Sequence, residues 1–195
     1  MSLSLPYDVP ALENEIRARL LKKGGVAYAR ENEKAFPEIK KVIDLIVDAG
    51  GIPCYPVLLD NKNGKYTEYE SDPVKLLEKL KERKVFSIEL IPARNDINKL
   101  KEFVLFFDKN GFVITLGTEH NTPAMEPVTV GCREGKAIDQ ELQSISYRGV
   151  SVIAANQYLF AQGREGYIRT NGTARTDEKE YFEQLGDAVI RKFIS

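Results

Sequence analysis

Between Phe36 and Leu116 the chain alternates helix-period segments with short apolar runs, and this rhythm restricts its possible folds more than any other feature. Phe36 to Ala49 carries Ile39, Val42, Ile43, Ile46 and Val47 at helical spacing and is closed by Gly50-Gly51. Ile52 to Leu59 reads as a buried strand, kept short or irregular by Pro53 and Pro56, which lack ladder donors. Asn61 to Gly64 reads as a turn. Asp72 and Pro73 open a second helix at its cap and first turn, with Val74, Leu76, Leu77 and Leu80 on the inner face. Val85 to Ile91 is the next strand. Asn95 or Asp96 caps a third helix, whose apolar residues include Ile97, Leu100, Phe103, Val104, Phe106 and Phe107, and Asn110-Gly111 ends it. Phe112 to Leu116 is again a strand. Helix and strand in this order mean parallel strands joined by helical crossovers, so the fold class is α/β. Near-continuous apolar strands suit a sheet buried on both faces.

The flanks are more helical. Ala11 to Lys23 is amphipathic, with Leu12, Ile16, Leu20 and Leu21 on one side, and Gly24-Gly25 stops it. Val26 to Ala29 is a candidate strand. Ile138 to Tyr147 and Val150 to Gln162 read as two short helices, or as a strand and a helix. Arg164 to Thr176 is a polar loop. Asp177 to Phe193 is a last helix, with Tyr181, Phe182, Leu185, Val189 and Ile190 inward. The 195 residues are read as a single α/β domain, 1–195, with β/α units over 24–123 and a mostly helical region over 124–195.

Composition excludes several function classes. The net charge of −1 provides no global field for nucleic acid or an anionic membrane. Lys81, Arg83 and Lys84 share their helix with Glu78 and Glu82, which makes a solvated face. Cys54 and Cys132 are far apart, which fits a reducing compartment better than a disulfide framework or a zinc knuckle. No apolar run approaches the ~20 residues that span a bilayer. The N-terminus has no basic stretch followed by an apolar one, so a cytoplasmic location is expected. Walker, GxGxxG, GxSxG and HExxH motifs are all missing from the sequence.

In parallel α/β folds, ligands bind at the carboxyl ends of the strands. Three segments qualify: Cys54-Tyr55-Pro56, Ile91 to Asn95, and Gly117 to Pro123. Glu119-His120-Asn121 ranks first, because a carboxylate beside an imidazole has the atom types for a divalent metal or for acid–base work. His120 is the only histidine, however, and catalytic zinc sites usually take several such ligands. The competing reading is that Glu119 and His120 only fix their loop. Glu89 lies inside an apolar strand and is expected to be buried, and hence either paired, for example with Arg94, or bound to a cation. Arg94 suits bidentate binding of phosphate or carboxylate. Cys54 has no evident activating base and reads as a buried thiol. Structural hydrogen bonding is the expectation for Asn156, Gln157 and Tyr158.

Three stretches in order carry a resemblance to a known family: Gly50-Gly51-Ile52-Pro53-Cys54-Tyr55-Pro56, Val85 to Asn95, and Phe112 to Asn121. Together, from Gly50 to about Pro123, they resemble the C-terminal half of the PHP superfamily, the polymerase-and-histidinol-phosphatase metal-dependent phosphoesterases. The first stretch stands where that family has a strand ending in Ala-His-Pro. Val85 to Asn95 resembles its Gly-Ile-Glu-Val strand, and Phe112 to Asn121 is similar to its strand ending in Gly-Ser-Asp-x-His. The resemblance implies a distorted (β/α) barrel holding divalent metal (manganese, zinc or iron) that generates hydroxide and clamps a phosphoester. Glu119 would replace the family's aspartate ligand. His120 or Asn121 would take the place of its partner histidine; spacing favours Asn121, chemistry favours His120. Glu89, Arg94 and Tyr55 would line the substrate side, although Tyr55 stands where a histidine ligand belongs.

The family's N-terminal HxH motif is missing from this chain. Two expectations follow. One is the C-terminal part of a longer phosphoesterase, incomplete as a catalyst alone. The other is a non-catalytic relative used for ligand binding or protein interaction. Three or four strands cannot close a barrel, so either reading implies a homo-oligomer or association with a missing N-terminal half.

Overall fold

The computed structural model describes residues 7–61, 63–120 and 127–194. The chain divides into two compact units, Met1–Glu38 with Glu119–Val128, and Ile39–Thr118 with Thr129–Ser195.

The first unit is built on α1 (Val9–Ile16), continued by a wider π-type turn over Arg17–Leu21. Asp8 caps α1 by accepting from the Ala11 amide, 3.1 Å away, and Pro10 occupies the first turn. The apolar stripe read from the sequence is present, but no residue of α1 is buried. The candidate strand at Val26 to Ala29 does not form; those residues make a turn and irregular chain. A four-residue apolar run with no neighbouring strand to pair with has no reason to stay extended.

The second unit holds the alternation. Its elements are α2 (Ile39–Asp48), β1 (Cys54–Val57), α3 (Pro73–Glu82), β2 (Ser87–Leu90), α4 (Ile97–Lys109), β3 (Val113–Leu116), α5 (Gln140–Ala161) and α6 (Lys179–Ile194). β2 lies between β1 and β3, and both pairings are parallel. Asp72 caps α3 through the Lys75 amide at 3.0 Å. Asp96, rather than Asn95, caps α4. Among the described residues the sheet has three strands and is open. No helix among them is long and apolar enough to cross a membrane.

Strand alternation divides the sheet into two faces. Val57, Ile88, Leu90, Ile114 and Leu116 point to one face and join the main core with Leu76, Leu77 and Leu80 of α3 and Leu100, Phe103, Val104 and Phe107 of α4. Phe107 stacks edge-on against Phe112 with ring centres 5.0 Å apart. Another cluster takes Val113 from the opposite face and packs it with Val152, Ala155 and Leu159 of α5, Tyr167, and Phe182 of α6. Tyr181, expected to point inward, is exposed at 51%, because the burial of α6 centres on its neighbour Phe182.

The region read as two short elements is one helix, α5, running through Gly149 without a break. Gly149 is there for space. A Cβ at this position would lie 1.9 Å from the Ile114 carbonyl oxygen. The close approach lets α5 lie along the outer edge of β3, where Ser146 Oγ accepts the Leu116 amide at 3.0 Å. An edge donor that would otherwise need a further strand is thereby satisfied by a helix. The same device recurs one layer out: a Cβ on Gly186 of α6 would meet the Ser151 carbonyl oxygen of α5 at 1.7 Å. A charged cluster of Asp108, Arg148, Lys179 and Glu183 joins α4, α5 and α6. As expected of a structural side chain, Asn156 donates to the Gly50 carbonyl at 3.0 Å and accepts from the Ile168 amide at 3.2 Å.

Substituting Gly149→Ala should therefore push α5 off the edge of β3. The expected loss is about 1–3 kcal/mol, the usual cost of forcing extra atoms into packed structure, read as a lower urea midpoint. An unchanged midpoint would mean that the helix does not depend on this contact.

Candidate functional site

Parallel sheets are normally covered on both faces. Here the row Pro56–Glu89–Thr115, aligned across the three strands, is not. Pro56 and Glu89 are exposed and Thr115 is half-buried. The expectation that Glu89 would be buried is thus corrected. The apolar residues around it in sequence belong to the helix-covered face, and none of the described residues of the second unit closes over the centre of this row. The carboxylate is directed along the strands toward the end of β3: a Cβ on Gly117 would stand 3.1 Å from Glu89 Oε1. Gly117 itself is held by donating its amide to the Leu90 carbonyl at 3.0 Å. Glu89 therefore reaches the carboxyl-terminal mouth of the sheet.

Tyr55 occupies the other face. It packs half-buried against the main core and donates its hydroxyl to Glu70, 2.9 Å away. Glu70 is only 2% exposed, so this donor is important to it. Desolvation, and then Glu70, hold the Tyr55 hydroxyl well above the ordinary tyrosine range. Cys54 lies on the exposed side, aligned with Ser87. Its thiol is pushed up by desolvation from the atoms crowding it, with a further contribution from Glu89, against a hydrogen bond with Ser87. It is a resting thiol at neutral pH and no activated nucleophile. The expectation of a buried Cys54 is corrected, because β1 is an edge strand.

The segment Cys54-Tyr55-Pro56 lies inside β1 and is no loop, so the mouth begins at Leu58. There the chain makes a tight turn in which the Asp60 amide donates to the Leu58 carbonyl at 3.0 Å. Leu59, at its centre, is fully buried with φ of 62°, a left-handed conformation that a branched side chain rarely adopts. Asn95, in the turn after β2, donates its side-chain amide both to the Leu58 carbonyl at 2.8 Å and to Asp60 Oδ1 at 3.0 Å. Arg133 donates to Asp60 Oδ2 at 3.1 Å, to the Asn61 carbonyl at 2.9 Å and to the Arg94 carbonyl. Arg94 itself is exposed in the short turn Pro92–Arg94.

Glu119 and His120 belong to the first unit, half-buried and exposed respectively. Asn121 lies outside the described residues. Among the described residues no three His, Cys, Asp or Glu side chains lie together so as to hold a metal ion. The donors among them do not by themselves fit a complete metal site.

Sequence reasoning missed Asp60 and Arg133 and gave Asn95 a capping role. A Leu-Leu-Asp strand end marks nothing by itself. Arg133 is 73 residues from Asp60, a separation that no local pattern bridges.

Tyr55→Phe should destabilise the protein by about 1–3 kcal/mol, because Glu70 would keep its burial and lose its donor. Tyr167 is fully buried, and desolvation likewise raises its hydroxyl. Both tyrosines are protonated in the fold at pH values where the unfolded chain ionises. Stability should be insensitive to them below about pH 10, the ordinary tyrosine range, and should fall as pH rises beyond it. Urea midpoints measured across the alkaline range for wild type and Tyr167→Phe should diverge in that window; parallel curves would contradict the assignment.

Compared with protein-family models, with curated proteins and with solved structures, the chain matches none.

Proposed function

We propose that this chain supplies part of the site of a PHP-like metal-dependent phosphoesterase and is incomplete as a catalyst alone. The observation that carries the reading is Glu89. A carboxylate stands exposed on the central strand of the parallel sheet, directed to the strand ends. A face of that kind is stable once other elements enclose it. In a distorted (β/α) barrel it would be the interior, and the present sheet would form an arc of the wall. Glu119 and His120, the residues that follow Gly117-Thr118 in the chain, would be the metal donors that this segment contributes. Arg94 would bind the phosphate of a small phosphoester, and a divalent metal, once the donor set is completed by another segment, would supply hydroxide and charge stabilisation. Tyr55, on the far side of the sheet, would act through Glu70 and the core.

The alternative is a non-catalytic relative that uses the same mouth for binding. Its support is the incompleteness of the donor set among the described residues.

The two readings separate by elemental analysis of protein purified with manganese and zinc supplied. The phosphoesterase reading expects metal in wild type, held weakly by the part of the donor set that this chain contributes, and lost in Glu119→Ala. If neither wild type nor the variants carry metal, the binding module becomes the better description.

A further inference from the structure

Asp60, Asn95 and Arg133 come from three separate stretches of chain and meet at one place. Asp60 follows β1, Asn95 follows β2, and Arg133 lies in the segment by which the chain re-enters the second unit after Val128. Asp60 is 4% exposed and Asn95 fully buried. The Asp60 carboxylate is satisfied on both oxygens, by Asn95 on Oδ1 and by Arg133 on Oδ2. A buried carboxylate paired in this way is costly to disturb, because losing one partner leaves an uncompensated charge.

Arg133 is also held at its own backbone. Its amide donates to the Asn95 carbonyl at 3.1 Å. The turn that presents it is tight: Cys132 donates to the Lys136 carbonyl at 2.6 Å, Gly131 bridges Ala137, and Glu134 and Gly135 both take left-handed backbone conformations. One guanidinium thus touches the β1 turn through Asp60 and Asn61 and the β2 turn through the Arg94 carbonyl. All three acceptors surround one guanidinium nitrogen, Nη2, whose two hydrogens they share. The Leu59 conformation, unfavourable for its side chain, persists where surrounding contacts over-determine it. The contacts on both sides of Leu59, to Leu58 and to Asp60, come from this cluster.

We propose that Arg133 is a positioning residue, the clamp that locks the turns after β1 and β2 and the returning chain into one rigid rim at the carboxyl ends of these strands. The functional meaning of the rim rests on the reading of this mouth given above, whereas its mechanical coupling does not. Arg133 holds the Leu59 turn, the Arg94–Asn95 turn and its own turn together, so that the three open as a unit.

The test is hydrogen exchange by mass spectrometry on the full chain, comparing wild type, Arg133→Ala, Arg133→Lys and Arg148→Ala. Arg148 belongs to the distant cluster with Asp108 and Glu183, and its variant controls for general loss of stability. In Arg133→Ala, exchange should rise roughly tenfold together in peptides covering 58–67, 91–96 and 131–137, with little change in α5. Arg133→Lys should recover only part of the protection. Arg148→Ala should leave the three peptides as in wild type. A rise confined to 131–137, or an equal rise in Arg148→Ala, overturns the clamp. Manganese titration of wild type in parallel keeps the two ideas apart: no binding counts against the phosphoesterase reading, while the exchange pattern still decides the role of Arg133.

Discussion

A three-stranded parallel sheet has two edges and two faces, and the second unit is arranged around the need to cover them. The helix-covered face needs no special device, because α3 and α4 follow from the crossovers and carry their leucines and phenylalanines to it. The outer edge of β3 is harder, since its backbone groups would otherwise seek another strand. The close approach at Gly149 solves this by bringing a helix into contact with the strand backbone, with Ser146 as a substitute partner. The packing of α6 on α5 at Gly186 and the charged cluster around Asp108 and Lys179 are built outward from that contact. The other edge, β1, is blunted by Pro56, which has no amide to offer.

What remains uncovered is the row Pro56–Glu89–Thr115. The core of the second unit hides its apolar side chains, yet a carboxylate is left exposed on the central strand with access to the mouth. Around that mouth the turns are tied by charged and buried hydrogen bonds, and Leu59 and Glu134 are held in left-handed backbone conformations. Stiffness of this kind around an open face suits a surface that must keep its geometry when something binds.

Legibility follows the range of the interactions. The helices α3 and α4 and the strands between them can be read from the sequence, because caps, spacing and glycine stops act over a few residues, as at Asp72, Asp96 and Asn110. The reading of α5 as two elements, parted around Gly149, has a related cause. A glycine inside a helical pattern looks like a weak point until the backbone that approaches it is known. Alternation places Glu89 correctly on the face opposite Ile88 and Leu90, but its exposure depends on what covers that face, which lies outside any local pattern.

The sequence by itself determined the α/β class, the parallel order of alternation and the segments that follow β2 and β3, because these follow from periodicity and chain connectivity. Only the tertiary structure decided that Glu89 is open and Tyr55 is turned to Glu70. It alone brought Arg133 to Asp60 and Asn95. Those outcomes depend on contacts between segments 15 to 73 residues apart, set by how the chain packs around the sheet and by no propensity of the residues themselves.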